Sequence, residues 1–321
     1  METPRAILIT GATGKQGGAV LKHLAQHPRA SEFTLLAVTR NPASPSAQKL
    51  RDSYPNTHLV QGDLNDVKRL FINAKEVLHE NKLPNSIWGV YSVQVSMGSG
   101  VTFDGEVRQG KDLIDESLAE GVKHFVYSSV DRGGNEKSFD NETPIPHFQT
   151  KHRIEQYLVE KAGKGGENMH WTILRPVAFM DNLETSFKTK VFLTALHNTL
   201  KDKPLQWISV DDIGLFAAKA FRESLSWNAK AEGLAGDELT FQELSGCFER
   251  VTGRPAPTTV GPMGSILMLM VKELRVMINW FKTDGYGVDI GRLRGMDGDL
   301  CDFETWLRER SPWAEQGKGK M

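Results

Sequence analysis

At 321 residues, with 39% hydrophobic and 25% charged residues, the chain has a globular composition and ample length for a buried core. Basic and acidic residues nearly cancel, 39 against 40, so no global field exists to recruit nucleic acid. The 2 cysteines, Cys247 and Cys301, make neither metal spacing nor a disulfide framework and fit a reducing compartment.

The apolar run Ala6-Ile7-Leu8-Ile9 predicts a strand almost at the start of the chain, with no leader-like segment before it. It feeds directly into Gly11-Ala12-Thr13-Gly14-Lys15-Gln16-Gly17-Gly18, after which Val20, Leu21 and Leu24 follow helical spacing. A strand that ends in glycines and opens a helix aims backbone N–H groups and the helix N-terminus at one spot, which suits pyrophosphate. The spacing is G-x-x-G-x-x-G rather than the commoner G-x-G-x-x-G, and a tight turn without ligand is the competing reading. The context favours a dinucleotide site.

Phe33 to Val38 reads as a second buried strand, followed by Thr39-Arg40-Asn41 with no carboxylate nearby. An acid at this place grips a ribose 2′-hydroxyl, whereas an arginine accommodates the 2′-phosphate of NADP. Arg40, with Lys15 adding a second positive charge, therefore favours NADP(H) over NAD(H), against the reading of Arg40 as a solvated loop charge. A third strand, Thr57 to Val60, runs into Gly62-Asp63-Leu64. Asp63 is placed to accept from an exocyclic adenine amine; alternatively Asp63 or Asp66 caps the helix that begins near Val67, and one residue can do each.

Strand and helix patterns keep alternating: Ser86 to Ser92, a helix from Val107 to Glu120, His124 to Ser129, a helix from Arg153 to Val159, and His170 to Pro176. Such alternation predicts an α/β fold, a Rossmann-type doubly wound parallel sheet with right-handed crossovers. Ligands in such sheets sit outside the carboxyl ends of the strands. The fifth strand ends in Tyr127-Ser128-Ser129, and a later segment, Pro146 to Lys151, puts His147 and Lys151 on one face if helical.

The ordered set GATGKQGG, VTRNP, GDLND, YSSV, HFQTK and LRPVAFMDN resembles the NmrA-like branch of atypical short-chain dehydrogenases/reductases. The likeness covers roughly residues 5 to 220 and weakens beyond. It implies that Gly11, Ala12, Thr13, Gly14, Lys15, Gln16 and Gly17 hold the pyrophosphate, Arg40 the 2′-phosphate, and Asp63 with Leu64 the adenine. It also implies that Val93 and Gln94 pass beneath the cofactor and that Lys151 bonds the nicotinamide ribose. Pro176, Phe179 and Asn182 would line the nicotinamide end. The implied domains are a Rossmann domain over 1–187, rejoined by 205–222, and a smaller α+β substrate or partner lobe from 188–204 and 223–315, with a flexible tail at 316–321.

One departure stands out. Typical short-chain dehydrogenases carry Tyr-x-x-x-Lys, and here His147 occupies the tyrosine position. An imidazolium can donate a proton near neutral pH, so His147 is a candidate acid; a lone histidine is more commonly packed or solvated. Ser128 can orient a substrate carbonyl or merely satisfy backbone groups. No metal site is expected.

Beyond Val191 the signals thin. Thr240 with Glu243 predicts a helix start. The run Met263 to Phe281, with Met263, Met268, Met270, Met277 and Met296 in or near it, reads as a flexible apolar pocket or as ordinary core. Lys272, Glu273 and Arg275 interrupt it, which argues against a membrane span. Two functions remain: an NADP(H)-dependent oxidoreductase acting on a small carbonyl, quinone or imine, and a non-catalytic NADP(H) sensor that binds a regulatory protein. A homodimer stays open; the expected location is the cytoplasm, with the nucleus also open.

Overall fold

β1 (Arg5–Ile9), α1 (Lys15–Ala25), β2 (Phe33–Thr39), α2 (Pro45–Ser53), β3 (Thr57–Gln61) and α3 (Val67–Glu80) follow one another as strand and helix. They are joined by β4 (Ile87–Ser92), α4 (Phe103–Ala119), β5 (His124–Ser128), α5 (Asn135–Ser138), α6 (Pro146–Ala162) and β6 (His170–Pro176). The computed structural model describes residues 3–96, 98, 100–259 and 272–314. Met263, Met268 and Met270 of the expected apolar run, and the tail at 316–321, lie outside the described residues.

β1 pairs in parallel with β2 and β4, β2 with β3, β4 with β5 and β5 with β6. With β9 (Lys230–Leu234) at the edge, the seven-stranded sheet runs β3-β2-β1-β4-β5-β6-β9. The order reverses between β1 and β4, and that switch point is where open α/β sheets bind ligands. The expected α/β, Rossmann-type architecture is present. Every residue of β2 is buried, as a strand covered on both faces requires.

Helix boundaries follow from chemistry. The side chains of Ser44, Asp66 and Thr102 cap α2, α3 and α4 by accepting from first-turn amides, each cap worth about 1 kcal/mol. α4 therefore starts at Phe103, earlier than its apolar periodicity suggests, and α6 starts at Pro146, where proline's fixed φ suits a first helical position.

The chain divides into two compact units: Met1–Ser129 with Thr150–Arg175 and Ile213–Glu232, and Val130–Gln149 with Pro176–Asp212 and Gly233–Met321. Segments 130–149, 176–187 and 205–212, expected with the Rossmann domain, cluster instead with the later segments, while 223–232 clusters with the first unit. Within the second unit a small sheet runs β10-β8-β7, formed by Asp237–Leu239, Leu205–Ile208 and Ala178–Phe179. Its apolar core includes Trp207, Phe248, Phe303, Trp306 and Trp313. The helix Phe241–Thr252 opens on the expected capping box of Thr240 and Glu243.

Candidate functional site

The β1–α1 turn differs from the starts of α2, α3 and α4, each of which is capped by a side chain. Gly11 sits at φ +60, and a Cβ there would come 2.9 Å from Val93 Cγ1. A Cβ on Gly17 would lie 2.4 Å from the Gly11 carbonyl oxygen, so the helix crosses the strand end at a distance only glycine permits. Ala12 is buried, while Thr13, Gly14 and Lys15 are exposed. Gly14 caps α1 without a side-chain bond, and no acidic residue lies in the first turn. The N-cap of α1 thus offers no side chain to the first-turn amides, as at an anion-binding helix start.

The other expected nucleotide residues follow the carboxyl ends of β2, β3 and β4. Arg40 follows the end of β2, exposed, with no hydrogen bond or ion pair among the described residues. Asp63 is exposed, and its Oδ1 accepts from the backbone and side-chain amides of Asn65 at 2.8 Å each. Asp66, not Asp63, caps α3. Leu64 is half-buried beside it. After β4, the Val93 amide donates to Thr10 Oγ1 at 2.9 Å, and Gln94 Nε2 donates to Ser92 Oγ at 2.9 Å. Gln94 is buried with its Oε1 unpartnered among the described residues, a polar atom that a ligand donor would satisfy. The glycine cradle, the helix end free of side-chain caps and this orphaned oxygen all fit a dinucleotide.

The candidate chemical groups are each tied to a neighbour. Ser128 Oγ donates to Gln16 Oε1 at 2.6 Å, and the buried Tyr91 hydroxyl donates to the same oxygen at 3.3 Å. Burial pushes the Tyr91 hydroxyl far above its ordinary pKa, so it stays a neutral donor. A substrate carbonyl seeking the Ser128 proton has to displace Gln16. Lys151 Nζ donates to Glu106 Oε1 at 3.3 Å. His147 Nδ1 meets Glu273 Oε1 at 2.6 Å, and its ring stands edge-on to Phe148 with centroids 4.8 Å apart. The sequence pattern does not mark Glu106 or Tyr91, and marks Glu273 only as a charge interrupting an apolar run; the faint signal for Glu106 is an acid in the first turn of α4.

Among the later candidates, Pro176 is buried at the end of β6, Phe179 is half-buried in β7, and Asn182 is exposed in the turn Met180–Asn182. Asp181 fixes that turn by accepting from the Val210 amide at 2.8 Å. These residues and His147 belong to the second unit, whereas Lys151, Ser128 and the glycine turn belong to the first. Among the described residues no helix is long and apolar enough to cross a membrane, and no cluster of potential metal ligands occurs.

The NmrA-like family matches residues 3–302 of the chain. The chain belongs to the NmrA-like family. An NmrA-like family domain-containing oxidoreductase, hkm9 of Aspergillus hancockii, is 29% identical over 79% of this chain and 74% of its own length. The fold also matches NmrA, a negative transcriptional regulator solved with NADP, at TM-score 0.69 and 18% identity, over 100% of this chain and 99% of that one. The same regulator has been solved with NAD. Triphenylmethane reductase of Citrobacter sp., complexed with NADP(H), matches at TM-score 0.67 and 18% identity over 95% of this chain and 99% of that one. Regulators and reductases thus share this NmrA-like architecture.

Proposed function

We propose that this NmrA-like protein binds NADP(H) and acts as an oxidoreductase on a small carbonyl, quinone or imine. The observation that carries the reading is the β1–α1 turn, whose helix start lacks the side-chain cap that α2, α3 and α4 possess. Gly11 to Gly17 would hold the pyrophosphate and Arg40 the 2′-phosphate. Asp63 and Leu64 would face the adenine, and Val93 and Gln94 would lie under the cofactor. Lys151 would bond the nicotinamide ribose, and Pro176, Phe179 and Asn182 would line the nicotinamide end. A bound nicotinamide supplies or takes a hydride; the protein's task is orientation and proton supply.

For the proton, His147 is the candidate acid. Its Nδ1 faces the Glu273 carboxylate, an arrangement that fixes the orientation of the ring. Ser128 would orient the substrate oxygen after exchange with Gln16. The second unit would serve as the substrate lobe.

A second reading, a sensor whose partner affinity follows NADP(H) occupancy, draws on the same pairings. Ser128, His147 and Lys151 are all held by internal partners, as a site that binds without turnover permits. Following NADPH absorbance against a panel of quinones, ketones and imines separates the two. Substrate-dependent decay supports the reductase, and tight NADPH binding without decay across the panel supports the sensor.

A further inference from the structure

Lys151 is the residue to which the nucleotide reading assigns the ribose, and its partner is unusual. Glu106 lies in the first turn of α4, with its side chain only 1% exposed. Its carboxylate collects bonds from two other segments. Oε1 accepts from Ser96 Oγ at 2.7 Å and from Lys151 Nζ at 3.3 Å, and Oε2 accepts from Thr150 Oγ1 at 2.7 Å. Ser96 follows Val93 and Gln94, the stretch read as passing beneath the cofactor.

Packing explains how these groups meet. A Cβ on Gly110 would come 2.6 Å from Ile154 Cδ1, so α4 and α6 approach closely at that point. Glu106 stands one helical turn before Gly110, and Thr150 one turn before Ile154, so the close approach brings carboxylate and hydroxyl together. α6 is held in turn by Glu155, whose carboxylate takes Arg175 Nε at 3.1 Å and a terminal guanidinium nitrogen at 2.7 Å, both side chains buried.

Helix packing alone does not account for Glu106. A buried ion pair is commonly matched or exceeded in stability by apolar residues of similar volume. The ammonium of Lys151, with its side chain 12% exposed, has two further N–H donors and no other partner among the described residues. We propose that Glu106 is the positioning residue for Lys151: it holds the ammonium in place to donate to the nicotinamide ribose and, through Ser96, fixes the segment beneath the cofactor. This role rests on the nucleotide reading above. Without Glu106 the lysine chain regains rotamer freedom, and the ligand must then order it on binding.

The test compares NADPH with 2′,5′-ADP, which carries the adenosine and its 2′-phosphate but no nicotinamide ribose. By calorimetry, Glu106→Gln should weaken NADPH about tenfold while leaving 2′,5′-ADP within about twofold, and Lys151→Met should do the same. The double variant should lose less NADPH affinity than the two single losses added together, because the larger part of what Glu106 does passes through that lysine. Glu106→Asp, which keeps the charge but withdraws it by one methylene, should show the same selective loss and carries the test if the glutamine variant does not fold. Unchanged NADPH affinity, equal loss of both ligands, or additive losses in the double variant would overturn the role. A wild type that binds 2′,5′-ADP yet passes none of these comparisons loses only the Glu106 assignment; one that binds neither ligand loses the nucleotide reading, and this role with it.

Discussion

The carboxyl ends of β1 and β2 contrast with those of β4 and β5. At the first pair the recognition groups are left open: Gly14 caps α1 with no side chain, and Arg40 stands exposed without a described partner. At the second pair the groups are bonded to one another, Tyr91 and Ser128 to Gln16. Lys151 on α6 is likewise held by Glu106. An anion brings its own charge, so its site needs only donors and room. Groups that must meet a reacting carbonyl or a ribose hydroxyl gain from being held before the ligand arrives. The contrast predicts that substitutions at the open end act on affinity, and those at the bonded end on orientation and turnover.

The largest expected effect is at the glycine turn. A Cβ on Gly14 would lie 3.2 Å from the Gly11 carbonyl oxygen, tight but tolerable to the fold, whereas Gly17 has no such room. Gly14→Val should therefore abolish NADPH binding while circular dichroism shows a folded chain. Gly17→Ala should also cost about 1–3 kcal/mol in denaturant unfolding. Full NADPH affinity in folded Gly14→Val would break the contrast at its open end.

Among the internally paired candidates, His147→Phe should lower turnover about a hundredfold while NADPH affinity barely moves. Glu273→Gln should give a smaller loss in the same direction, since it removes only the partner of Nδ1. Steady-state rates with the best substrate of the panel check both. Full activity in His147→Phe would remove the histidine as acid.

A smaller, graded effect concerns His124, at the opposite end of β5 from Ser128. Thr172 Oγ1 donates to the Trp227 carbonyl at 2.7 Å, so His124 Nε2, 2.8 Å from that hydroxyl, must be the donor, and Nδ1 is left buried without a partner among the described residues. Burial above all, then His170 and Arg5, lowers its pKa to about 3. The unfolded chain therefore binds the proton first as pH falls. The stability that His124 contributes is complete above its ordinary value and is lost between there and about 3, at up to about 1.4 kcal/mol per pH unit. Asp212, raised by burial to about 6, works oppositely: its contribution is present at low pH and is lost as pH rises through that value. Denaturant midpoints across this range should fall less steeply toward acid in His124→Gln than in the wild type, and parallel profiles would contradict the assignment.

Much of this was legible in the sequence, for reasons that mark its limits. The glycine turn, the strand alternation, the Asp66 cap and the Thr240–Glu243 box are local signals, set within a few residues by backbone sterics and hydrogen bonding. The choice for Asp63 was not, because an Asx turn with Asn65 and a cofactor contact need the same residue type. The pairings of Glu106 and Glu273 were invisible for another reason. Their partners lie 45 and 126 positions away in the chain, and only the packing of helices brings them together. The second unit's aromatic core is assembled from segments whose separate patterns say little.

The proposed 2′-phosphate site at the ends of β1 and β2 is tested most directly by calorimetric titration of the wild type and Arg40→Ala with NADPH and NADH. NADPH should bind at least about tenfold tighter than NADH, about 1.4 kcal/mol, with most of that gap erased in Arg40→Ala. Equal affinities in the wild type would contradict it.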